Sequence, residues 1–240
     1  MSDHETENYQ EKLTRVKQDF DNFVYLVSHD LKAPIRAINN LADWVMEDLG
    51  PDIPANAQRQ LHLLRERSQR LDKMLAAILE LSRVARMNLQ IETIALSPFL
   101  HRIRENFAQD GITFSIPDNL PVLTTYAAKL QTVIEQLFDN AIKHNPNQPV
   151  HLTITWQPDQ EYLKLLVSDN GIGILPEQRE KVFNIFYTGR GKEEQNSIGA
   201  GLTISKKIVE FVGGKIEITE NSPAGSTFIL YWPFKIIQKP

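Results

Sequence analysis

Between residues 10 and 49, apolar side chains return at steps of three and four: Leu13, Val16, Phe20, Phe23, Val27, Leu31, Ile38, Leu41, Val45 and Leu49. That spacing lays one apolar stripe along a helix, about 60 Å long for ~40 residues. Gly50-Pro51-Asp52-Ile53-Pro54 ends it, since glycine and proline break the helical ladder. A second helix is predicted over 56–88, where Leu64, Leu71, Ile78 and Ala85 form one seven-residue row and Leu61, Ser68, Leu75 and Ser82 another. A seven-residue repeat packs against partner helices with left-handed supercoiling. Two long helices on a short loop make an antiparallel hairpin, which cannot bury both stripes alone. Two hairpins bury them as a dimeric four-helix bundle. The alternative is a monomeric helical extension docked on the rest of the chain.

From about residue 92 the pattern changes. Ser97-Pro98 offers an N-cap and a first-turn proline for a helix through Gln109. Ile112–Ile116 reads as a strand, and Ala127–His144 as a helix stopped by Asn145-Pro146-Asn147. His151–Trp156 alternates, with Leu152, Ile154 and Trp156 on one face. Tyr162–Ser168 pairs with it across a turn predicted at Pro158-Asp159. Residues 184–200 are polar and glycine-bearing, too long for a simple connection, and read as a functional lid. Gly201–Val212 is helical and stops at Gly213-Gly214, and Lys215–Thr219 with Ser226–Phe234 closes the chain as a hairpin. The order predicts a mixed sheet with helices on one face, an α/β sandwich.

Bulk properties narrow the partners. The chain has 240 residues, room for one large or two modest domains. At 42% hydrophobic and 23% charged it has globular composition. A net charge of −4 gives no basis for a nucleic-acid or membrane-surface partner. The absence of cysteine excludes disulfides and thiolate metal sites and agrees with a cytoplasmic location. No apolar run approaches the ~18–20 residues that span a bilayer, and the polar start is unlike a signal peptide.

Candidate chemistry begins at His29. Asp30 follows it, and Pro34 sits one turn later inside the first helix. Imidazole accepts a phosphoryl group when one nitrogen is unprotonated and aimed along the leaving bond. Asp30 would fix the tautomer and act as base, and Pro34, lacking an amide, would bend or loosen the helix. A histidine beside an acid on a helix is, alone, an ordinary surface pair. Further on, Asn140, Lys143 and His144 share one helical face at i, i+3 and i+4. Asn140 offers Mg²⁺ a neutral oxygen and Lys143 neutralises phosphate; a plain amphipathic helix end would look similar. Asp169 follows an apolar strand and precedes Asn170-Gly171-Ile172-Gly173; a carboxylate at a strand end can accept a hydrogen bond from an adenine amino group, and glycines let the backbone pass close to a base. By itself that stretch is also a common turn. Gly199-Ala200-Gly201-Leu202 opens a helix whose free amides suit phosphate oxygens, and Gly225-Ser226-Thr227-Phe228 enters the last strand.

In this order, Phe23–Ile35 resembles the H-box of HisKA-type kinases in its phytochrome-like flavour, and the later motifs resemble the N, G1, F, G2 and G3 boxes of the GHKL ATPases, with Phe183 and Phe186 in the F-box. The chain thus resembles the catalytic core of a two-component sensor histidine kinase. The resemblance implies a fold of α plus α/β type: a dimerisation and phosphotransfer domain over 10–88, then a GHKL-type ATP-binding domain over 92–236. It implies His29 as phosphoacceptor, Asp30 as its base, ATP and Mg²⁺ as cofactors, and Asn140 as the metal ligand. Asp169, Gly171 and Gly173 would hold adenine. Lys143, His144, Gly199, Gly201, Leu202 and Thr227 would complete the nucleotide site, with Arg190 or Lys192 of the lid on the γ-phosphate. Partners would be a second copy and a response-regulator receiver domain. The sensor that many family members carry in the membrane is absent here, or cut away. Two positions depart from the pattern: Gln136 stands where the N-box often begins with Asn, and Ala33 where Thr or Asn often helps dephosphorylate the regulator. The alternative from another class is a dimeric, ATP-binding pseudokinase acting as a scaffold.

Overall fold

The apolar stripe over 10–49 and the seven-residue rows over 56–88 become two helices in a computed structural model, which describes residues 3–50, 53–146, 149–159, 161–189, 197–221 and 224–236. Helix α1 spans Asp3–Leu49, with Pro34 inside it, and α2 spans Ala55–Arg83. The chain divides into two compact units between Arg83 and Val84.

In the first unit, α1 and α2 run antiparallel. Arg65 Nη1 meets Asp43 Oδ1 at 3.4 Å, Ser68 Oγ donates to the Ile35 carbonyl at 3.2 Å, and Arg83 lies over the Tyr25 ring. The buried residues are small: Ser28, Ala42, Ser68, Ala77 and Ser82. Small side chains bring the helices close and leave the large ones outside. Phe20 is 64% exposed, Phe23 61% and Trp44 57%. A hairpin of this kind therefore does not bury its own apolar stripe.

Helix α2 ends five residues before the predicted 88. Lys129 Nζ donates to the Val84 carbonyl and, at 3.0 Å, to the Met87 carbonyl, and Asn88 takes a left-handed φ of 57°. An ammonium thus receives carbonyls that would otherwise need further helical turns. Lys129 is itself buried, and burial pushes its pKa down.

The second unit contains β1 (Glu92–Ala95), α3 (Leu96–Glu105), β2 (Ile112–Ser115), β3 (Val122–Thr125), α4 (Ala127–Lys143), β4 (Val150–Asp159) and β5 (Tyr162–Asp169). Two 3-10 turns at Pro176–Gln178 and Lys181–Phe183 follow, then α5 (Gly201–Phe211), β6 (Lys215–Glu220) and β7 (Ser226–Pro233). Five strands form one mixed sheet in the order β2-β4-β5-β7-β6, with β2 parallel to β4 and the other pairs antiparallel. Strands β1 and β3 make a separate antiparallel pair that the sequence pattern did not announce.

Alternation sets the core. Leu152 and Ile154 of β4, Leu163, Leu165 and Val167 of β5, and Phe228, Leu230 and Trp232 of β7 are all buried. Residues two apart share a face, so these rows form one apolar surface. Helix α4 supplies Leu130, Ile134, Leu137 and Phe138, also buried. Phe138 meets Phe107 edge-on at 5.7 Å and Phe114 at 5.1 Å. Trp232 Nε1 donates to Thr125 Oγ1 at 2.8 Å, which ties β7 to β3.

Two further expectations are corrected. Ser97 is not an N-cap: α3 begins at Leu96, capped by Ala95, and Ser97 is buried in its first turn. Strand β1 runs straight into the helix, because the Leu96 amide is already taken by the Pro121 carbonyl at 3.2 Å. Pro158 and Asp159 are not the turn either; they pair with Leu163 and Tyr162 within the ladder. Strand β2 covers β4 only as far as Thr153, so beyond it β4 is an edge and the amide missing at Pro158 costs no ladder bond.

Candidate functional site

On α1, Ser28 is the inward residue, and the next two positions, about 100° and 200° further round, turn to solvent. The His29 side chain is 71% exposed and Asp30 80%. His29 Nδ1 lies 3.2 Å from Asp30 Oδ1. Pro34 leaves the Asp30 carbonyl without its usual helical donor.

The other candidates belong to the second unit. Val133, Ile134, Leu137, Phe138 and Ala141 turn α4 toward the core. Gln136, Asn140 and Lys143, at i, i+4 and i+7, therefore share the opposite stripe, and Gln136 and Asn140 are half-buried. Lys143 Nζ pairs with Asp139 Oδ2 at 2.7 Å. His144 is the C-cap of α4, its amide bonded to the Asn140 carbonyl at 3.1 Å.

Asp169 ends the inward row of β5 and is 8% exposed. Its Oδ1 accepts from the Gly171 amide at 2.8 Å and the Ser226 amide at 3.3 Å. Burial raises its pKa, and the two amides offset part of that rise. The turn after it is crowded. A Cβ at Gly171 would stand 2.9 Å from Asp169 Oδ1, and Gly173, at φ +77°, faces the Gly225 carbonyl. Asn170 Oδ1 accepts from Asn145 Nδ2 at 2.7 Å and from the His151 amide at 2.8 Å, while its Nδ2 donates to the Pro149 carbonyl. Asn221 Nδ2 donates to the Asp169 carbonyl at 2.7 Å. The acid is therefore held from the α4–β4 loop on one side and from the start of β7 on the other.

Helix α5 begins without a side-chain cap, its N-cap being Ala200, so no side chain competes for its first amides. Gly201 abuts Gln136: an added Cβ would overlap Gln136 Oε1. Gly199, at φ +68°, runs against the Tyr187 carbonyl, and its own carbonyl accepts from the Phe186 amide at 2.8 Å. Gly199→Ala is expected to cost about 1–3 kcal/mol, as left-handed strain does for a residue with a side chain. Thermal unfolding of the nucleotide-free protein measures it, and an unchanged midpoint would contradict the crowding at Tyr187.

Gln136 thus touches the glycine-opened helix, and Asn145 lies beside Gly171, within 3.5 Å of an added Cβ. Nine residues of helical rise separate them, about 13 Å. One stripe of α4, continued by Asn145 just past its C-cap, joins the Asp169 turn to the start of α5. Gly171 and Gly173 belong to the turn after Asp169, and Gly199, Gly201 and Leu202 to the entry and first turn of α5. Thr227 behaves differently: its hydroxyl bonds Ser168 Oγ at 2.8 Å on the face opposite Asp169, and it is Ser226 whose amide reaches the acid. Phe183 is buried, with Lys206 Nζ 5.4 Å from its ring centroid. Arg190 and Lys192 lie outside the described residues. In the sequence Gln136 reads only as a departure, Asn145 only as a helix stop, and Asn221 carries no signal; what they touch emerges only from the fold.

Among the described residues no three His, Cys, Asp or Glu side chains form a group able to hold a metal. The half-buried amide of Asn140 fits Mg²⁺, which binds through one or two protein oxygens plus phosphates and retained water. No described helix is long and apolar enough to cross a membrane.

Comparison with known proteins identifies the family of each half of the chain. Residues 21–86 match the His Kinase A (phospho-acceptor) domain, and residues 125–236 match the histidine kinase-, DNA gyrase B- and HSP90-like ATPase family. Cyanobacterial phytochrome B of Nostoc sp. is 34% identical over 223 residues, covering 90% of this chain and 30% of that protein. The methanogenesis regulatory histidine kinase FilI of Methanothrix harundinacea is 30% identical over 220 residues, covering 90% of this chain and 25% of that protein. The chain therefore spans less than a third of the length of these relatives. Full-length ShkA, solved in complex with AMPPNP, shares the fold at a TM-score of 0.63 and 18% identity, over 91% of this chain and 47% of that one. Acinetobacter baumannii histidine kinase AdeS does so at a TM-score of 0.56 and 19% identity, over 86% and 98%. With a phospho-acceptor domain followed by the ATPase domain, the chain belongs to the sensor histidine kinases and represents their catalytic core.

Proposed function

We propose that ATP·Mg²⁺ phosphorylates His29, and that the phosphoryl group then passes to an aspartate on a response-regulator receiver domain. The observation that carries this reading is the exposed His29–Asp30 pair, 3.2 Å apart on the hairpin, in a chain whose other unit holds an uncapped, glycine-opened helix and a buried acid. With Asp30 accepting from Nδ1–H, Nε2 keeps its lone pair and attacks the γ-phosphorus. The N–P bond forms, the bond to the bridging oxygen breaks, and ADP leaves. The Nδ1 proton goes to Asp30. Such transfer depends mostly on positioning and charge stabilisation. Asn140 would hold Mg²⁺, which when bound would neutralise phosphate charge. The α5 amides with Gly199, Gly201 and Leu202 receive phosphate oxygens, and Lys143 and His144 stand at the C-terminal end of α4. Thr227 acts through Ser168 and β7 rather than by touching the base.

Residues 10–88 serve as the dimerisation and phosphotransfer domain, residues 92–236 as the ATP-binding domain, and the protein works in the cytoplasm. The exposed apolar stripe of α1, Phe20, Phe23 and Trp44 included, supports a second copy as the partner that covers it. Incubation with γ-labelled ATP·Mg²⁺ tests the reading. Acid-labile, base-stable phosphate on the protein is expected, followed by transfer to a receiver domain. A protein that binds ATP and takes no label is instead the scaffold.

Asp169 tests the adenine end. Asp169→Asn keeps Oδ1 for the Gly171 and Ser226 amides and leaves Nδ2, a donor, facing the adenine amino group. A hydrogen bond to a charged group contributes about 1.5–3 kcal/mol, so ATP binds roughly 10- to 100-fold more weakly. Without nucleotide the sign reverses. The folded-state pKa of Asp169 is raised, so on raising the pH the unfolded chain ionises first. Stability then falls from the unfolded value through the folded one. Asp169→Asn lacks this loss and melts higher than wild type at neutral pH, the gap closing toward acid. Calorimetric binding and melting curves across pH read both effects. Wild-type affinity for ATP in the variant rejects the adenine role.

A further inference from the structure

Tyr25 sits one helical turn before His29 on α1. Its ring and the imidazole are stacked, with centroids 6.3 Å apart and planes inclined by 28°. Helical side chains lean toward the N-terminus, over the turn before their own Cα, so a residue four positions earlier is the one an imidazole covers. The guanidinium of Arg83, the last residue of α2, lies 5.2 Å from the Tyr25 ring centroid. That is cation–π distance, and it links the end of α2 to the turn beneath the acceptor. His29 has no wall of core residues around it: its side chain is 71% exposed. A free imidazole on a helix surface samples several rotamers, and few of them aim Nε2 at an incoming phosphorus. Asp30 constrains one ring edge, but an exposed pair at 3.2 Å leaves the ring plane free to swing about that contact.

We propose that Tyr25 is a positioning residue for phosphoryl transfer, fixing the plane of the His29 ring by stacking, and that Arg83 holds Tyr25 in place. The inference rests on His29 being the acceptor. Tyr25 touches neither nucleotide nor phosphorus and works through the imidazole alone. Its hydroxyl is not needed; its ring is.

Two measurements test this. In the unphosphorylated protein, NMR of the His29 ring C–H protons should show a ring-current displacement that disappears in Tyr25→Ala and persists in Tyr25→Phe. In the labelling assay, Tyr25→Ala should lower kcat for self-phosphorylation about three- to tenfold, the size of an aromatic pair interaction read as a rate. KM for ATP should not move. Tyr25→Phe should restore the rate to within about twofold, and Arg83→Gln should fall between wild type and Tyr25→Ala. A purely structural role for Tyr25 predicts a lower melting point or weaker dimer with kcat per folded dimer unchanged. That result overturns the proposal, as does a rate loss that Tyr25→Phe does not recover. Arg83→Gln gives the kinetic test independently should Tyr25→Ala fold poorly. Label on wild type with equal kcat in Tyr25→Ala overturns this inference alone. No label on wild type overturns the acceptor reading and this inference with it, whatever the ring protons show.

Discussion

His29→Gln should abolish self-phosphorylation while leaving ATP binding, dimerisation and thermal stability unchanged. The imidazole is exposed, so its loss removes no core packing, and surface substitutions of this kind usually shift stability by within about 0.5 kcal/mol. Glutamine is a good helix former and keeps α1 intact. It carries no nucleophilic nitrogen, because the amide lone pair is delocalised into its carbonyl. The remaining histidines, His4, His62, His101, His144 and His151, do not replace it. His101 faces Asp118 at 3.7 Å, His151 lies against Thr113, and His144 caps α4. Label from γ-labelled ATP, quantified on wild type and variant after base treatment, gives the comparison. Undiminished label on the variant would reject His29 as acceptor.

How much of this arrangement was readable from the chain depended on range. The helices α4 and α5 follow from local periodicity and local stops, and the strands β4, β5 and β7 from alternation strong enough to survive their neighbours. Asp169 was legible as the acid that follows an apolar strand, but that it closes the inward row of β5 and is buried comes from the fold. What escaped was long-range. Strands β1 and β3 are four residues each and find each other across about 30 residues of chain, so neither carries a periodic signal of its own. The carbonyl of Val84 is taken by Lys129, 45 residues away, a residue whose local context says only that it lies on a helix. Gln136, Asn145 and Asn221 belong to the site by what they touch, and no short motif encodes those contacts. Thr227 shows the limit of motif reading at single-residue scale: two adjacent strand positions point to opposite faces, and the motif does not say which of them meets Asp169.

Asp30→Asn separates the two tasks assigned to Asp30. The side chain is 80% exposed and packs against nothing that would collapse, so the fold and the dimer should survive. Asparagine also retains a carbonyl oxygen of similar reach. The bond from His29 Nδ1, now 3.2 Å to the carboxylate, therefore has an acceptor in the variant, and the tautomer stays fixed. What the variant lacks is a group that takes the proton as the N–P bond forms. A well-placed general base contributes roughly 10²–10⁴-fold, and self-phosphorylation is expected to slow by that factor while KM for ATP stays put, since Asp30 lies on the hairpin and the nucleotide residues in the other unit. Asp30→Ala removes base and orienting oxygen together and should be slower still. A fall of only a few fold in Asp30→Asn, with a large one in Asp30→Ala, would mean that Asp30 orients the ring and that water takes the proton. A rate within twofold of wild type in both variants would take Asp30 out of the mechanism and leave ring orientation to Tyr25 and Arg83.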